Sequence, residues 1–233
     1  MIKNNYNDPK NSLVLFELGD KLDFLIKLHS LKRLPKVLMI SGNKGIGKFT
    51  LVNHFLSFIF DQDNYDLKNK TIDPESKFYK QDLNNSFSNI IYLAGDSFQN
   101  VKIDDIRDLK STILKSSILA KERFIILDDV ELFNINSLNA LLKIIEEPSL
   151  NNYFILINNK TKPLIETIHS RSLELKISLN NDAIMKIIER LVKKNNIQTY
   201  IDPSLSNLTP GSFLIFNKIF KNNKIDIDQD FLK

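Results

Sequence analysis

The sequence predicts an α/β protein: a doubly wound, five-stranded parallel sheet followed by a small helical domain. Two observations carry that expectation. Short apolar runs closed by turn residues recur through the first three quarters of the chain, and stripes at helical spacing lie between them. Past Ile177 the strand-like runs stop, and amphipathic helical patterning takes over.

The strands come in order. Val37-Leu38-Met39-Ile40 reads as a buried strand ending in Ser41-Gly42. Asn89 to Leu93 is a second, Phe124 to Leu127 a third closed by Asp128-Asp129, and Tyr153 to Ile157 a fourth closed by Asn158-Asn159. Runs apolar on both faces suit parallel strands covered by helices. Leu173 to Ile177 alternates and reads as a fifth strand, nearer an edge.

Helices fill the intervals. Leu51, Phe55, Phe58 and Ile59 follow the first strand at helical spacing. Ile103, Ile106, Leu109 and Ile113 form a second stripe, with Asp104 and Asp105 where a helix N-terminus favours acids. Ile135, Leu138, Leu141, Leu142 and Ile145 form a third, with Asn134 as its cap and Pro148 as its stop. Ile184, Ile187, Ile188 and Leu191 mark a helix after Asn180, and breaks follow at Pro203 and Pro210-Gly211. This divides the chain into an α/β domain over 1–177 and a helical domain over 178–233. Asp61 to Ser88 is polar and weakly patterned, and is expected to be a surface insertion.

Composition narrows the class. Hydrophobic residues make up 42% and charged residues 26% of the 233, a globular balance with enough apolar material for a core. No apolar run reaches the roughly 18 to 20 residues of a membrane span, and the polar start Met1 to Lys10 lacks the apolar segment of a secretory signal. There is no cysteine, which excludes disulfides and thiolate metal sites. A cytoplasmic protein with no membrane partner is expected. The net charge of +4 fits either a solvated Lys-rich surface or attraction to a phosphate backbone, and composition leaves both open.

The most informative stretch is Gly42-Asn43-Lys44-Gly45-Ile46-Gly47-Lys48, between a predicted strand and a predicted helix. In that context a glycine-rich loop can cradle phosphates with backbone N–H groups. Gly42, Gly45 and Gly47 permit unusual dihedrals and close approach, and Lys48 would reach the terminal phosphates. The loop is degenerate. The position after the lysine should carry a hydroxyl for Mg²⁺, but it is Phe49, and Thr50 lies about 100° further round the helix. Nucleotide could still bind through Lys48 and the loop amides, whereas hydrolysis is not expected.

Asp128 and Asp129 close the third strand, where a phosphate-loop site places its second half. Asp128 would hold a metal through water. Asp129 stands where a glutamate ordinarily polarises the attacking water, one methylene short. The bland alternative is that both acids cap the following helix.

Several stretches together resemble one family, the bacterial clamp-loader AAA+ subunits of DNA polymerase III. Arg33-Leu34-Pro35 and Ile40 to Lys48 are similar to the opening of those subunits. Leu138-Asn139-Ala140-Leu141-Leu142-Lys143-Ile144-Ile145-Glu146-Glu147-Pro148 resembles the helix after their second acidic motif, and is a highly specific signature. His169-Ser170-Arg171-Ser172 matches their Ser-Arg-Cys element, with serine for the cysteine. The resemblance covers roughly 31–215. It implies a P-loop AAA+ domain, a helical lid, and membership of a ring that loads a sliding clamp onto primed DNA, as a component of the polymerase holoenzyme. It implies that Arg171 projects into a neighbour's ATP site as a trans-acting finger, where a guanidinium suits a phosphoryl group. Asn158 matches the polar sensor position, although it could equally cap a turn. The lid's Gly-Ser-x-Arg reads Gly211-Ser212-Phe213-Leu214, so Leu214 replaces the sensing arginine.

Phe49, Asp129 and Leu214 thus weaken metal, base and sensor, while Arg171 is retained. By the resemblance this asymmetry belongs to delta-prime stators, whose partners are the motor subunits and the delta subunit. No cofactor would be required, and ATP or ADP would bind weakly. Many members carry a four-cysteine zinc module after the first helix; the cysteine-free Asp61–Ser88 segment replaces it, so no zinc is expected. The chain ends at Lys233, before the family's collar, so a C-terminal collar domain is expected to be absent. Two rival readings are an active clamp-loader ATPase using Thr50 as metal ligand, and a P-loop interaction protein without a loader role. The first predicts Mg²⁺-dependent turnover by the isolated chain; the second predicts no association with motor subunits.

Overall fold

The computed structural model describes residues 8–95, 101–114, 122–148 and 151–223. The chain runs through α1 (Gly19–Ser30), β1 (Val37–Ser41), α2 (Lys48–Phe60), β2 (Tyr65–Asp66), β3 (Thr71–Ile72), α3 (Lys77–Leu83) and β4 (Ile90–Ala94). It continues through α4 (Ile103–Leu114), β5 (Arg123–Asp128), α5 (Ile135–Ile145), β6 (Asn152–Asn158), α6 (Glu166–His169) and β7 (Leu173–Lys176). Three helices follow: α7 (Asn181–Asn195), α8 (Pro203–Ser206) and α9 (Pro210–Asn223). The last ten residues of the expected helical domain, 224–233, and the first seven of the polar start lie outside the described residues.

Five strands form one sheet in the order β4-β5-β6-β1-β7, and every pairing is parallel. The strands read from sequence are all present, and Leu173–Lys176 takes the edge expected of it. Side chains alternate across the sheet. Leu38, Ile40, Phe124, Ile126, Ile155 and Ile157 face α1 and α2, while Met39, Ile125, Leu127, Phe154 and Leu156 face α4 and α5. Apolar residues at successive strand positions are therefore required, because helices cover both faces.

Caps set the helix starts. Asn134 Oδ1 accepts from Ser137 N at 2.9 Å, and Asn180 Oδ1 accepts from Ala183 N at 2.9 Å. The breaks at Pro203 and Pro210 are helix starts, as suits a ring nitrogen with no N–H to satisfy. In α5, Leu138, Leu141 and Ile145 are buried, and so is Ile144; Ile135, counted in the expected stripe, is exposed in the first turn. α7 and α9 share a small apolar cluster of their own around Ile188, Phe213 and Leu214. Among the described residues no helix is long and apolar enough to cross a membrane.

Two expectations need correction. The helix α1 was not anticipated, since no side chain caps it, yet Leu22 and Leu25 are fully buried against the sheet's α2 layer. Asp61–Ser88 is more than a surface insertion. It folds as a short antiparallel pair, β2 with β3, followed by α3, and it buries Tyr65, Ile72, Phe78 and Tyr79 in the main core. Phe60, Phe78 and Phe87 pack ring to ring with centroids 4.9–5.8 Å apart. Those few apolar residues follow no single period, so their shared destination is invisible without the fold.

Candidate functional site

The register of the sheet brings the chemically interesting strand ends to one level. Ser41 pairs with Asn158, and Ala94 pairs with Asp128, so β1, β4, β5 and β6 all deliver their C-terminal ends to the same edge. Ligands in open α/β sheets bind in this crevice. A cavity of about 310 Å³ opens here. Its wall comprises the segment around Val14–Leu18, the glycine-rich loop with Thr50, the acidic pair, Asn159, and residues of α7 and α9.

The loop from β1 to α2 takes the course its glycines allow. Gly47, at the N-terminus of α2, has φ +100°, and Gly45 has φ +81°. Gly45 also lies so close to the start of α9 that a Cβ there would sit 2.6 Å from Thr209 Oγ1 and 2.8 Å from Ser212 N. Gly211 N donates to Gly45 O at 2.8 Å, and Thr209 Oγ1 donates to Lys44 O at 2.6 Å. The start of α9 and the residue before it are thus hydrogen-bonded to the glycine-rich loop itself.

Lys48 is 3% exposed, and its Nζ donates to Gly42 O at 2.7 Å and Asn43 O at 2.8 Å. Burial lowers its pKa to about 8, opposed by the nearby charges of Asp128, Glu131 and Asp129. It stays mostly protonated at neutral pH.

The position after Lys48 is closed to a metal. Phe49 meets the Tyr92 ring edge-on, with centroids 5.3 Å apart. Tyr92 Oη in turn donates to Asp128 Oδ2 at 3.1 Å, and Asp129 N donates to Asp128 Oδ1 at 2.8 Å. Burial, then the charge of Asp129, raises the Asp128 pKa to about 6, against the bonds from Asp129 N and Tyr92 and the charge of Lys48. Asp129 is held in the left-handed region at φ +50°. Its Oδ1 accepts from Asn159 Nδ2 at 2.7 Å, and Lys44 Nζ lies 3.3 and 3.4 Å from its two oxygens. All four carboxylate oxygens of the pair therefore already have donors from the chain. Magnesium asks for near-octahedral oxygen coordination, and these residues do not fit it.

The structure sorts the expected residues into two groups. Gly45, Gly47, Lys48, Thr50, Asp128 and Asp129 line one cavity, and Gly42 joins them through its carbonyl on Lys48. Leu214 lines it too, an apolar side chain buried at 6% exposure. Asn158 does not face it in this way: its Oδ1 accepts from Lys160 N at 2.8 Å, which is the turn-capping alternative. The amide that reaches the acidic pair is the neighbouring Asn159. Arg171 lies apart from the cavity, exposed on the surface after α6. Its Nε and Nη2 engage Glu146 Oε1 at 2.9 and 2.8 Å, and its Nη1 donates to Thr167 O at 3.1 Å.

Sequence reading passed over Tyr92, Lys44, Asn159 and Glu131. Glu131 is 5% exposed and accepts from Asn159 N at 3.1 Å and Thr161 Oγ1 at 2.8 Å, tying β5 to the turn after β6. A lone carboxylate between Val130 and Leu132 was its signal. Tyr92 had none, because a tyrosine in an apolar strand ordinarily reads as packing.

Comparison with known proteins bears on the family and the fold. The family model for "DNA polymerase III, delta subunit" matches residues 19–181. The DNA polymerase III subunit gamma of Buchnera aphidicola subsp. Acyrthosiphon pisum is 27% identical over 173 residues, covering 73% of this chain and 46% of that protein. The subunit delta' of Buchnera aphidicola subsp. Baizongia pistaciae is 26% identical over 155 residues, covering 63% and 45%. The chain thus spans about half the length of the curated relatives it matches. Among solved structures, the Thermotoga maritima RuvB Holliday junction branch migration motor aligns with a TM-score of 0.53 at 16% identity, covering 95% of this chain and 69% of that one. A gamma subunit-related protein of Thermotoga maritima aligns with a TM-score of 0.50 at 19% identity, covering 73% and 52%. The fold is that of AAA+ proteins.

Proposed function

Because the chain belongs to the DNA polymerase III, delta subunit family of clamp-loader AAA+ subunits, we propose that it is a delta-prime-like stator of a clamp loader in DNA replication. In this reading it sits in the cytoplasm beside motor subunits and a delta subunit, and meets the sliding clamp and primed DNA through the assembly. Arg171 acts in trans on the ATP of a neighbouring motor. The chain's own pocket holds ATP or ADP weakly and does not hydrolyse it.

The observation that supports this best is the contrast between the two sites. The acidic pair is occupied by Tyr92, Lys44, Asn159 and a backbone N–H, and Phe49 stands where a metal ligand would. Arg171 is outside that cavity on a side chain 37% exposed, as a group serving another chain must be. A guanidinium directed at a phosphoryl group stabilises the charge of transfer by roughly 10³ to 10⁵ in rate.

The test mixes this chain with its motor and delta subunits and measures ATP turnover. Turnover by the chain alone should be negligible, and the chain should stimulate the motor. Arg171→Ala should abolish that stimulation while the complex still forms by size exclusion. Equal stimulation by the variant would sink the assignment of the finger.

A further inference from the structure

Two polar attachments hold the helices α7–α9 to the sheet part of the molecule. One is the start of α9 on the glycine-rich loop, through Gly211 N on Gly45 O and Thr209 Oγ1 on Lys44 O. The other is Arg190 of α7. Its Nη1 donates to Glu17 Oε1 at 3.1 Å, and its guanidinium carbon lies 5.5 Å from the centre of the Phe16 ring. Among the described residues this is the only ion pair that α7 makes. Arg190 stands in sequence between Ile187 and Leu191, and both of those line the cavity. One charged tether therefore holds a wall of the cavity.

The segment that receives the tether is irregular but firmly seated. Val14 bridges Thr71 antiparallel, Leu15 N donates to Lys70 O at 3.0 Å, and Ile72 N donates to Leu13 O at 2.9 Å, so the segment adds a third strand beside β3. Ser12 O accepts from His54 Nε2 at 2.9 Å, and Leu15 and Leu18 are buried in the main core. Between those two leucines Glu17 is held at φ +56°, a left-handed conformation that a β-carbon disfavours. Such strain persists only where the surroundings fix it, and here the turn brings the Glu17 carboxylate to Arg190.

We infer that residues 12–18 are a strap and Arg190 is its latch: the contacts with Glu17 and Phe16 hold α7 against the cavity, and their release lets α7–α9 swing outward about the α9 contact with the glycine-rich loop. Two features favour a latch over a permanent weld. The pair is partly exposed, with side chains 53% accessible at Arg190 and 27% at Glu17, so water or a competing charge can part it. In addition, α7 and α9 share an apolar cluster around Ile188, Phe213 and Leu214, which makes them one body. The latch needs neither Arg171 nor a bound nucleotide, so its failure would leave the proposed function untouched.

The experiment is a pulsed electron-resonance distance measurement on the full chain, with spin labels at Lys27→Cys on α1 and Lys193→Cys on α7. Both lysines are exposed, and the absence of any native cysteine makes the labelling specific. The parent should show one dominant, short distance. Arg190→Glu sets two carboxylates against each other, and should raise the share of a longer distance by about fivefold, the scale of a half-exposed ion pair with a ring contact. Glu17→Arg combined with Arg190→Glu should return the distribution toward the parent's. Should Arg190→Glu fail to fold by circular dichroism, Glu17→Gln takes its place and should shift the distribution in the same direction. An unchanged distribution in the single variant would overturn the latch. A charge-swapped chain as open as the single variant would overturn the pairing with Glu17.

Discussion

Glu146 Oε1 accepts from both Arg171 Nε and Nη2, at 2.9 and 2.8 Å, so the ion pair takes up the edge of the guanidinium best shaped for a phosphate. Glu146 caps the C-terminal end of α5, the helix that begins a few residues beyond the acidic pair. One helix thus spans from the chain's own pocket to the arginine proposed for a neighbour's.

Both partners are over a third exposed, so the pair should add at most about 1 kcal/mol to stability. Glu146→Gln should leave the denaturant midpoint nearly unchanged. It should lower the concentration of this chain needed for half-maximal stimulation of the motor by a fewfold, because a neutral amide competes poorly with phosphate. A rise in that concentration would mean that Glu146 positions the arginine rather than restraining it.

The contact of Gly211 with Gly45 makes a second prediction. A Cβ on Gly211 would lie 2.8 Å from Gly45 Cα and 3.0 Å from its carbonyl oxygen, both backbone atoms. Gly211→Ala should push α9 off the loop at a cost of about 1–3 kcal/mol. Amide exchange should speed up over residues 209–214 and stay slow in β1, β5 and β6. Unchanged exchange over 209–214 would contradict the docking.

His54 supplies a pH dependence. It is fully buried, with Nδ1 2.9 Å from Tyr65 Oη and Nε2 2.9 Å from Ser12 O. Burial, aided by the charge of Lys194 and resisted by the Ser12 carbonyl, lowers its pKa from 6.5 to about 4. The unfolded chain then binds this proton more readily than the native one. The stabilisation is complete above pH 6.5 and falls away toward pH 4, by up to roughly 3 kcal/mol. Asp128 has the opposite sign, since its raised pKa favours the fold at low pH and that favour is lost as pH rises through about 6. The difference in unfolding free energy between parent and His54→Gln, followed from pH 7 to 4, isolates the histidine. A flat difference would refute the assignment.

Phe55 reports on the core beneath the site. It is fully buried, edge-on to Phe124 at 5.9 Å and to His29 at 6.1 Å. Phe55→Ala should cost about 3–5 kcal/mol in urea unfolding. Phe58→Ala, on the same helix but only partly buried, should cost clearly less.

Much of the molecule was legible in the chain. The apolar runs at Val37, Phe124 and Tyr153 are long, dense in β-branched and aromatic residues, and bounded by turns, so few other structures would bury them. The glycine-rich loop was equally plain, because its φ values exclude most other residues. The absence of a hydroxyl at Phe49, of an arginine at Leu214, and of every cysteine is a matter of residue identity that folding cannot alter.

What only the tertiary structure decided is which side chains meet. Local pattern places Asn158 and Asn159 together at a strand end, but the turn after β6 spends the first amide on Lys160 and sends the second to Asp129. The same holds for Tyr92 on Asp128, Lys44 on Asp129, and Glu146 on Arg171. Apart from the local bond of Asn158 to Lys160, each pair joins residues more than twenty positions apart. Periodicity records the face on which a residue sits, whereas hydrogen bonds depend on ångström distances that exist only once sheet register and helix packing have brought those faces together.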